Sequence, residues 1–194
     1  MKRYILVFLS LLFLMATHAT AYEWKIDPAH SAVMFEIKHI YATVRGQFNT
    51  FHGDVVFNPN DLNASKFDFT VDVDSINTHI AKRDTHLRSP DFFDADKYPY
   101  MVFKSSKVSH IVGNTYLLAG KMTIKGVTKP MKLEFLMLGQ KDSPFQEGKV
   151  VGGFETRFKI DRFDFNVGTG KFYKMGALGK DVNVLISLEM IRDK

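Results

Sequence analysis

Apolar and polar residues alternate along most of this chain. The cleanest run is KFDFTVDVD, where Phe67, Phe69, Val71 and Val73 face one way and Asp68, Thr70, Asp72 and Asp74 the other. Successive strand side chains point to opposite faces, so a period of two predicts a strand with one buried and one wet face. The same period runs through VMFEIKH (Val33, Phe35, Ile37), YLLAGKMTIK (Tyr116, Leu118, Met122, Ile124), MKLEFLM (Met131, Leu133, Phe135, Met137), FETRFKI (Phe154, Phe158, Ile160) and VNVLISLEM (Val182, Val184, Ile186, Leu188, Met190). With EWKID, VRGQFNTFHGDVVF and YMVFKSSKV the pattern predicts eight or nine strands. In VRGQFNTFHGDVVF the apolar parity shifts between Phe48 and Phe51, which predicts a bulge or sharp bend at Asn49-Thr50. Gly113-Asn114 and Gly126 stand where hairpin turns belong.

Only residues 77–99, NTHIAKRDTHLRSPDFFDADKYP, leave room for helix between these strands, so the sheet is expected to be antiparallel. Strands that each carry one apolar face close economically as an all-β, up-and-down barrel of about eight strands with the apolar faces inside; a two-sheet sandwich is the competing architecture. Within 77–99, Asn77 or Thr78 is expected to cap a helix running through Arg88, with Asp84 and Arg88 as an i,i+4 pair and Ser89 before Pro90 as its end. Ser89-Pro90-Asp91 then opens a second short helix that Pro99 closes. At helical spacing Ile80, Asp84 and Leu87 share one stripe, and His79, Arg83 and His86 share its neighbour. The stretch reads as a short helical cap across one mouth of the barrel, with Phe92 and Phe93 as plugs.

Composition narrows this picture. Lys2 and Arg3 precede an apolar run over residues 4–16, and Ala19-Thr20-Ala21 fits a small-residue cleavage site. Residues 1–21 are therefore expected to be a secretory signal cut before Tyr22, which leaves 22–194 as one domain in the periplasm or outside the cell. The chain has no cysteine, so no disulfide staples the fold and no lipoprotein-type anchor holds it. Losing Lys2 and Arg3 takes the formal charge from +5 to +3, with acids and bases interleaved. That balance argues against nucleic acid and leaves contact with an anionic lipid surface open. Eighteen phenylalanines demand a large aromatic interior.

The candidate chemistry is sparse. His30, His39, His52, His79, Asp84 and His86 offer metal-ligand types without metal-site spacing, so no metal is expected. His30-Ser31 is adjacent in sequence, which points the two side chains apart, and no Gly-x-Ser-x-Gly elbow exists, so no catalytic residue is assigned. An enzyme working through His79, Asp84 and His86 on small apolar or isoprenoid substrates is the competing reading. At the mouth, His79, Arg83, His86 and Arg88 suit an anionic head group, with Phe92 and Phe93 beside it; equally, Arg83 and Arg88 could be held by Asp84, Asp91, Asp94 or Asp96 as lid salt bridges. Inside, Phe35, Ile37, Phe48, Phe67, Phe69, Val71, Phe103, Met122, Phe135, Phe158 and Ile186 either line a tube for an apolar chain or fill a solid core. An eight-stranded barrel sits at the boundary between the two.

DPAHSAVMFEIKH, RDTHLRSPDFFDADKYP, GKMTIKGVTKPM and DRFDF occur in an order and spacing that resemble the YceI-like family of exported lipid-binding proteins, over nearly all of residues 22–194. The resemblance implies a lipocalin-like barrel, with no enzymatic activity, that binds a polyisoprenoid or other long-chain lipid in its interior for carriage, storage or stress protection. It implies no cofactor beyond a bound isoprenoid lipid or quinone, the latter for delivery to a membrane redox partner. Transient membrane contact and a homodimer are compatible with it. Two departures stand out: Met122 replaces a usual leucine, and Phe163 with Asn166 replaces commoner small residues, which is expected to narrow or reshape one end of the tube.

Overall fold

Strand pairing carries the alternation around a complete circle. The computed structural model describes residues 22–194; the expected signal segment lies outside the described residues. Ten strands are present among the described residues: β1 (Glu23–His39), β2 (Ala42–Phe48), β3 (Phe51–Asn58), β4 (Asp61–Asp72), β5 (Ile76–Asn77), β6 (Tyr100–Val112), β7 (Thr115–Ile124), β8 (Val127–Asp142), β9 (Lys149–Asp161) and β10 (Leu178–Asp193). Eight of them, in the order β1-β3-β4-β6-β7-β8-β9-β10, form a closed antiparallel barrel in which β10 returns to β1. Closure removes the exposed edges that an open sheet would present. The helices are short, α1 (Ala81–Arg88) and α2 (Lys171–Lys174), and among the described residues no helix is long and apolar enough to cross a membrane.

The bend expected at Asn49-Thr50 separates β2 from β3. The upper part of β1 pairs with β2, from Val33 opposite Phe48 to His39 opposite Ala42, whereas Trp24 at its lower end pairs with Val55 of β3. Between them, Asn49 N–H donates to the Ser75 carbonyl and the Thr50 carbonyl accepts from Asp72 N–H. With Thr50 N–H donating to Ser75 Oγ, three of the four backbone groups of these two residues keep a partner through the bend. The Lys125-Gly126 turn has both residues at positive φ, 45° and 75°, the two-residue geometry whose twist matches a hairpin.

EWKID and VMFEIKH, read as separate strands, are one 17-residue strand. The interruption between them is a register shift against β10 between Asp27 and Ala32, where Pro28 has no N–H to give the ladder. Ser31 Oγ fills in for the ladder by donating to the Glu189 carbonyl and accepting from Glu189 N–H. Asp27 accepts from Ala29 N–H and pairs with His30 Nδ1 at 2.8 Å. Hydrogen bonding to Asp27 raises the His30 pKa above its ordinary 6.5, and bonding to His30 lowers the Asp27 pKa below 3.8. The pair therefore supports the fold fully between those two ordinary values. Its contribution fades as the pH rises through the raised His30 pKa or falls through the lowered Asp27 pKa. NMR titration of the His30 ring should show a midpoint above 6.5 that Asp27→Asn returns toward it; an unchanged midpoint in the variant would break this assignment.

The far half of the barrel is solid. Phe57 is fully buried and meets Tyr116, Phe135 and Phe154 edge to face at centroid distances of 5.0, 5.4 and 5.8 Å. Trp24 seals the bottom and donates its indole N–H to the Phe57 carbonyl at 3.0 Å. Along β10 the burial changes toward the mouth: Met190 is fully buried, while the inward-facing Leu188, Ile186, Val184 and Val182 are only partly so. Inward residues that keep accessible surface mean that the packed core ends partway up.

Candidate apolar cavity and its mouth

Above the aromatic floor lies a cavity of about 370 Å³. All eleven residues assigned from sequence to the tube or core face it: Phe35, Ile37, Phe48, Phe67, Phe69, Val71, Phe103, Met122, Phe135, Phe158 and Ile186. Sequence left tube and solid core as alternatives; the structure has both, stacked, with Phe67 and Phe135 at the boundary. The size falls within the range of small-molecule sites, about 300–1,000 Å³. An apolar void of this kind stays dry or takes an apolar guest, because water there lacks polar partners.

The cap differs in detail from expectation. Helix α1 begins after Ile80 with no side-chain cap, because the candidate capping groups are used elsewhere. Asn77 Oδ1 accepts from His79 N–H, and Thr78 donates both its N–H and its hydroxyl to the buried Asp84 carboxylate. Asp84 is thereby withdrawn from Arg88, and the expected i,i+4 pair does not form. Arg88 turns instead to Asp74, donating to its carbonyl at 3.4 Å with the carboxylate 3.8 Å away. Ser89 does end the helix. The second helix expected from Ser89 to Pro99 is a series of turns, in which Ser89, Arg88 and Leu87 carbonyls accept from Phe92, Ala95 and Phe93 N–H. Lys125, on the β7–β8 turn, donates to the Pro90 and Phe92 carbonyls and so ties the cap to the barrel rim.

Of the mouth residues named from sequence, Arg83, His86, Phe92 and Phe93 face the cavity. His79 and Arg88 do not: His79 sits at φ 63° with its side chain in solvent, and Arg88 is drawn outward by Asp74. The three groups of the competing enzyme reading go to separate partners, with Asp84 on Thr78, His86 on Asp91 at 3.2 Å and His79 exposed. Of the two lid alternatives, the salt-bridge one takes a different form: Arg88 pairs with Asp74, which was not among its expected partners. Arg83 pairs with no carboxylate among the described residues and is held by Thr78, donating from Nε to the hydroxyl and from Nη2 to the carbonyl, both at 2.7 Å.

Sequence reading missed the other wall of the mouth. It is built by residues 162–178, where the strand period stops and alternation gives no guide. Phe165, Val167 and Phe172 face the cavity, and Phe172 stacks on Phe92 with centroids 6.3 Å apart. Arg162, only 5% exposed, also borders the cavity. It donates to the Gly179 carbonyl at 2.9 Å and the Val167 carbonyl at 2.7 Å, and no carboxylate pairs with it among the described residues. Burial pulls its pKa below the ordinary arginine range, against the opposing field of Asp161. The one sequence clue was DRFDF itself, quoted as a motif without a role for its arginine. Phe163, expected to narrow or reshape the tube, does not line the cavity: the Arg162 guanidinium lies over its ring at 4.1 Å, and Tyr173 meets it edge to face at 5.5 Å.

Away from the cavity, Asp27, His30 and Glu189 bring ligand-type atoms within 4.8 Å of one another on the outer face of β1 and β10. There His30 already serves Asp27 as an ion-pair partner.

A closed eight-stranded antiparallel barrel, solid below and hollow and apolar above, defines a barrel protein with an internal ligand-sized chamber. Residues 24–190 match the YceI-like domain. The protein YceI of Shigella flexneri is 38% identical over 192 residues, covering 97% of this chain and 96% of its own. Among solved structures, Burkholderia cenocepacia BcnA superposes with a TM-score of 0.75 at 27% identity, covering 84% of this chain and 98% of its own. A polyisoprenoid binding domain from Saccharophagus degradans shares the fold, with a TM-score of 0.63 at 15% identity over 88% of this chain and 98% of its own. The chain belongs to the YceI-like family.

Proposed function

We propose that this protein is an exported, non-catalytic carrier that buries the tail of a polyisoprenoid or comparable long-chain lipid in its upper chamber and holds a polar or anionic head between Arg83, His86 and Arg162. The observation that carries this reading is the cavity of about 370 Å³, walled by phenylalanine and aliphatic side chains, inside a barrel whose other half is fully packed. A fold able to fill its core with aromatics below leaves space above. Each 100 Å² of tail removed from water contributes roughly 2.5 kcal/mol, close to 70-fold in affinity before ordering costs. The description of the Saccharophagus degradans relative as a polyisoprenoid binding domain supports the same ligand class.

Native purification, organic extraction and mass spectrometry should recover a lipid with a long apolar tail, and also tell an isoprenoid phosphate from a quinone. An empty extract, together with no binding of added polyprenyl phosphate, polyprenol or quinone, would sink the carrier reading. Guanidinium groups prefer phosphate, so Arg83→Met should weaken polyprenyl phosphate by about tenfold or more while changing the matching polyprenol little. Equal losses for both ligands would assign Arg83 to the cap alone. Export predicts that the mature protein starts at Tyr22; N-terminal sequencing that finds Met1 retained would reverse that expectation.

A further inference from the structure

The large apolar residues that the fold leaves in solvent gather toward the two ends of the barrel. In an antiparallel barrel of this connectivity, the β1–β2 turn, the cap, the β7–β8 turn and the connection from β9 to β10 share the mouth end. The start of β1, the end of β10 and the β6–β7 and β8–β9 turns share the other. At the mouth, Ile40 and Tyr41 form the tip of the β1–β2 turn and are 58% and 100% exposed; Met175, after α2, is 67% exposed. The two segments are adjacent, because Ile40 N–H donates to the Ala177 carbonyl and His39 pairs with Leu178. Both border the opening: His39, Phe172, Ala177 and Leu178 face the cavity just inside them.

The charge on these two rim segments has one sign. Residues 38–42 and 170–178 contain Lys38, Lys171 and Lys174 and no aspartate or glutamate. All three lysines are exposed and make no ion pair among the described residues. Lys38 lies beside Gly179, so its charge belongs to the same patch as those of α2. The acids near these segments are engaged, Asp161 and Asp181 by Lys180, Asp164 by Lys129 and Asp91 by His86. Farther along the cap, Asp94 and Asp96 form no ion pair among the described residues, nor does the adjacent Lys97. The opposite end also exposes apolar side chains, Val112, Leu138 and Phe145 among them, but there lysines pair with acids, Lys149 with Asp193 and Lys194 with Asp142.

We propose that the mouth rim made by Ile40, Tyr41 and Met175, with Lys38, Lys171 and Lys174, docks the open end of the barrel on an anionic lipid bilayer. Tyrosine, with an apolar ring and a polar tip, suits the headgroup level of a membrane, while short apolar side chains enter the acyl boundary and lysines meet anionic heads. The pose would set the cavity opening against the lipid phase, so that a tail passes between bilayer and barrel without crossing water. This inference rests on the carrier reading, and its test fails separately from it.

Sedimentation with vesicles of phosphatidylcholine, with and without phosphatidylglycerol, measures docking. A fluorescent polyprenol titrated in vesicle-free buffer measures carriage. The protein should bind the phosphatidylglycerol vesicles and lose affinity as salt rises. A lysine near an anionic surface contributes on the order of fivefold, so the triple change Lys38→Gln, Lys171→Gln, Lys174→Gln should cost about 100-fold. Tyr41→Ser with Met175→Ser should weaken vesicle binding tenfold or more, and both variants should bind polyprenol in solution as before. Absent vesicle binding, or binding indifferent to both variants, would overturn the docking proposal while leaving the carrier reading standing if the titration succeeds. Self-association that the serine variant abolishes would overturn it too, by making the rim a contact between two copies.

Discussion

Phe57→Ala should destabilise the protein by about 3–5 kcal/mol, more than any single truncation around the upper chamber. The ring is fully buried and meets those of Phe67, Tyr116, Phe135 and Phe154, so its removal opens a hole whose walls are themselves rigid rings. Such walls collapse poorly, and the cost of a large-to-small change rises with the void that remains. Edge-to-face contacts, each about 0.5–1.5 kcal/mol beyond burial, are lost as well. Phe48→Ala is the internal control. Phe48 borders an existing cavity, so its truncation enlarges a space the fold already tolerates and should cost clearly less. Chemical denaturation of both variants without lipid decides the matter. Equal losses would mean that the lower half is no more tightly packed than the upper.

The contrast between these two phenylalanines marks what sequence could and could not convey. Alternation places Phe48 on the inner face, assigns no role to Phe57 beyond the parity shift in their shared run, and correctly closes the barrel, because a period of two carries side-chain direction and little else. It carries no height along the barrel axis. Whether an inward residue meets rings from across the barrel or an empty chamber depends on strand stagger, which in this fold emerges only when β10 pairs back onto β1. The cap shows a second limit. Residue types near Arg83 and Arg88 suggested ion pairs within the segment, yet the buried Thr78 hydroxyl took Asp84 and the nearby Asp74 took Arg88. Partner choice among short-range carboxylates is decided by burial, which the local pattern does not encode. Arg162 and Phe172 escaped notice for a third reason: their segment follows neither strand nor sustained helical periodicity, so no face could be assigned to them.

A substitution that fills the chamber should separate binding from stability. Ile186 on β10 faces the cavity and remains partly accessible, so the space beside it can accept a larger side chain without displacing packed neighbours. Ile186→Trp is therefore expected to leave the lipid-free protein as stable as the parent or slightly more so, since the indole buries new apolar surface in an existing void. The tail then loses the volume that the indole takes. Excluding about 100 Å² of tail contact would reduce affinity by roughly 2.5 kcal/mol, close to 70-fold, and exclusion of the whole tail would abolish binding. Met190→Trp supplies the opposite case on the same strand and face. Met190 is fully buried against the floor, so extra volume there forces neighbours apart and should destabilise by about 1–3 kcal/mol. Thermal unfolding without lipid and a fluorescent polyprenol titration, run on both variants, read the two effects. Loss of stability in Ile186→Trp would show that the chamber closes when empty, and full retention of binding would place the tail outside it.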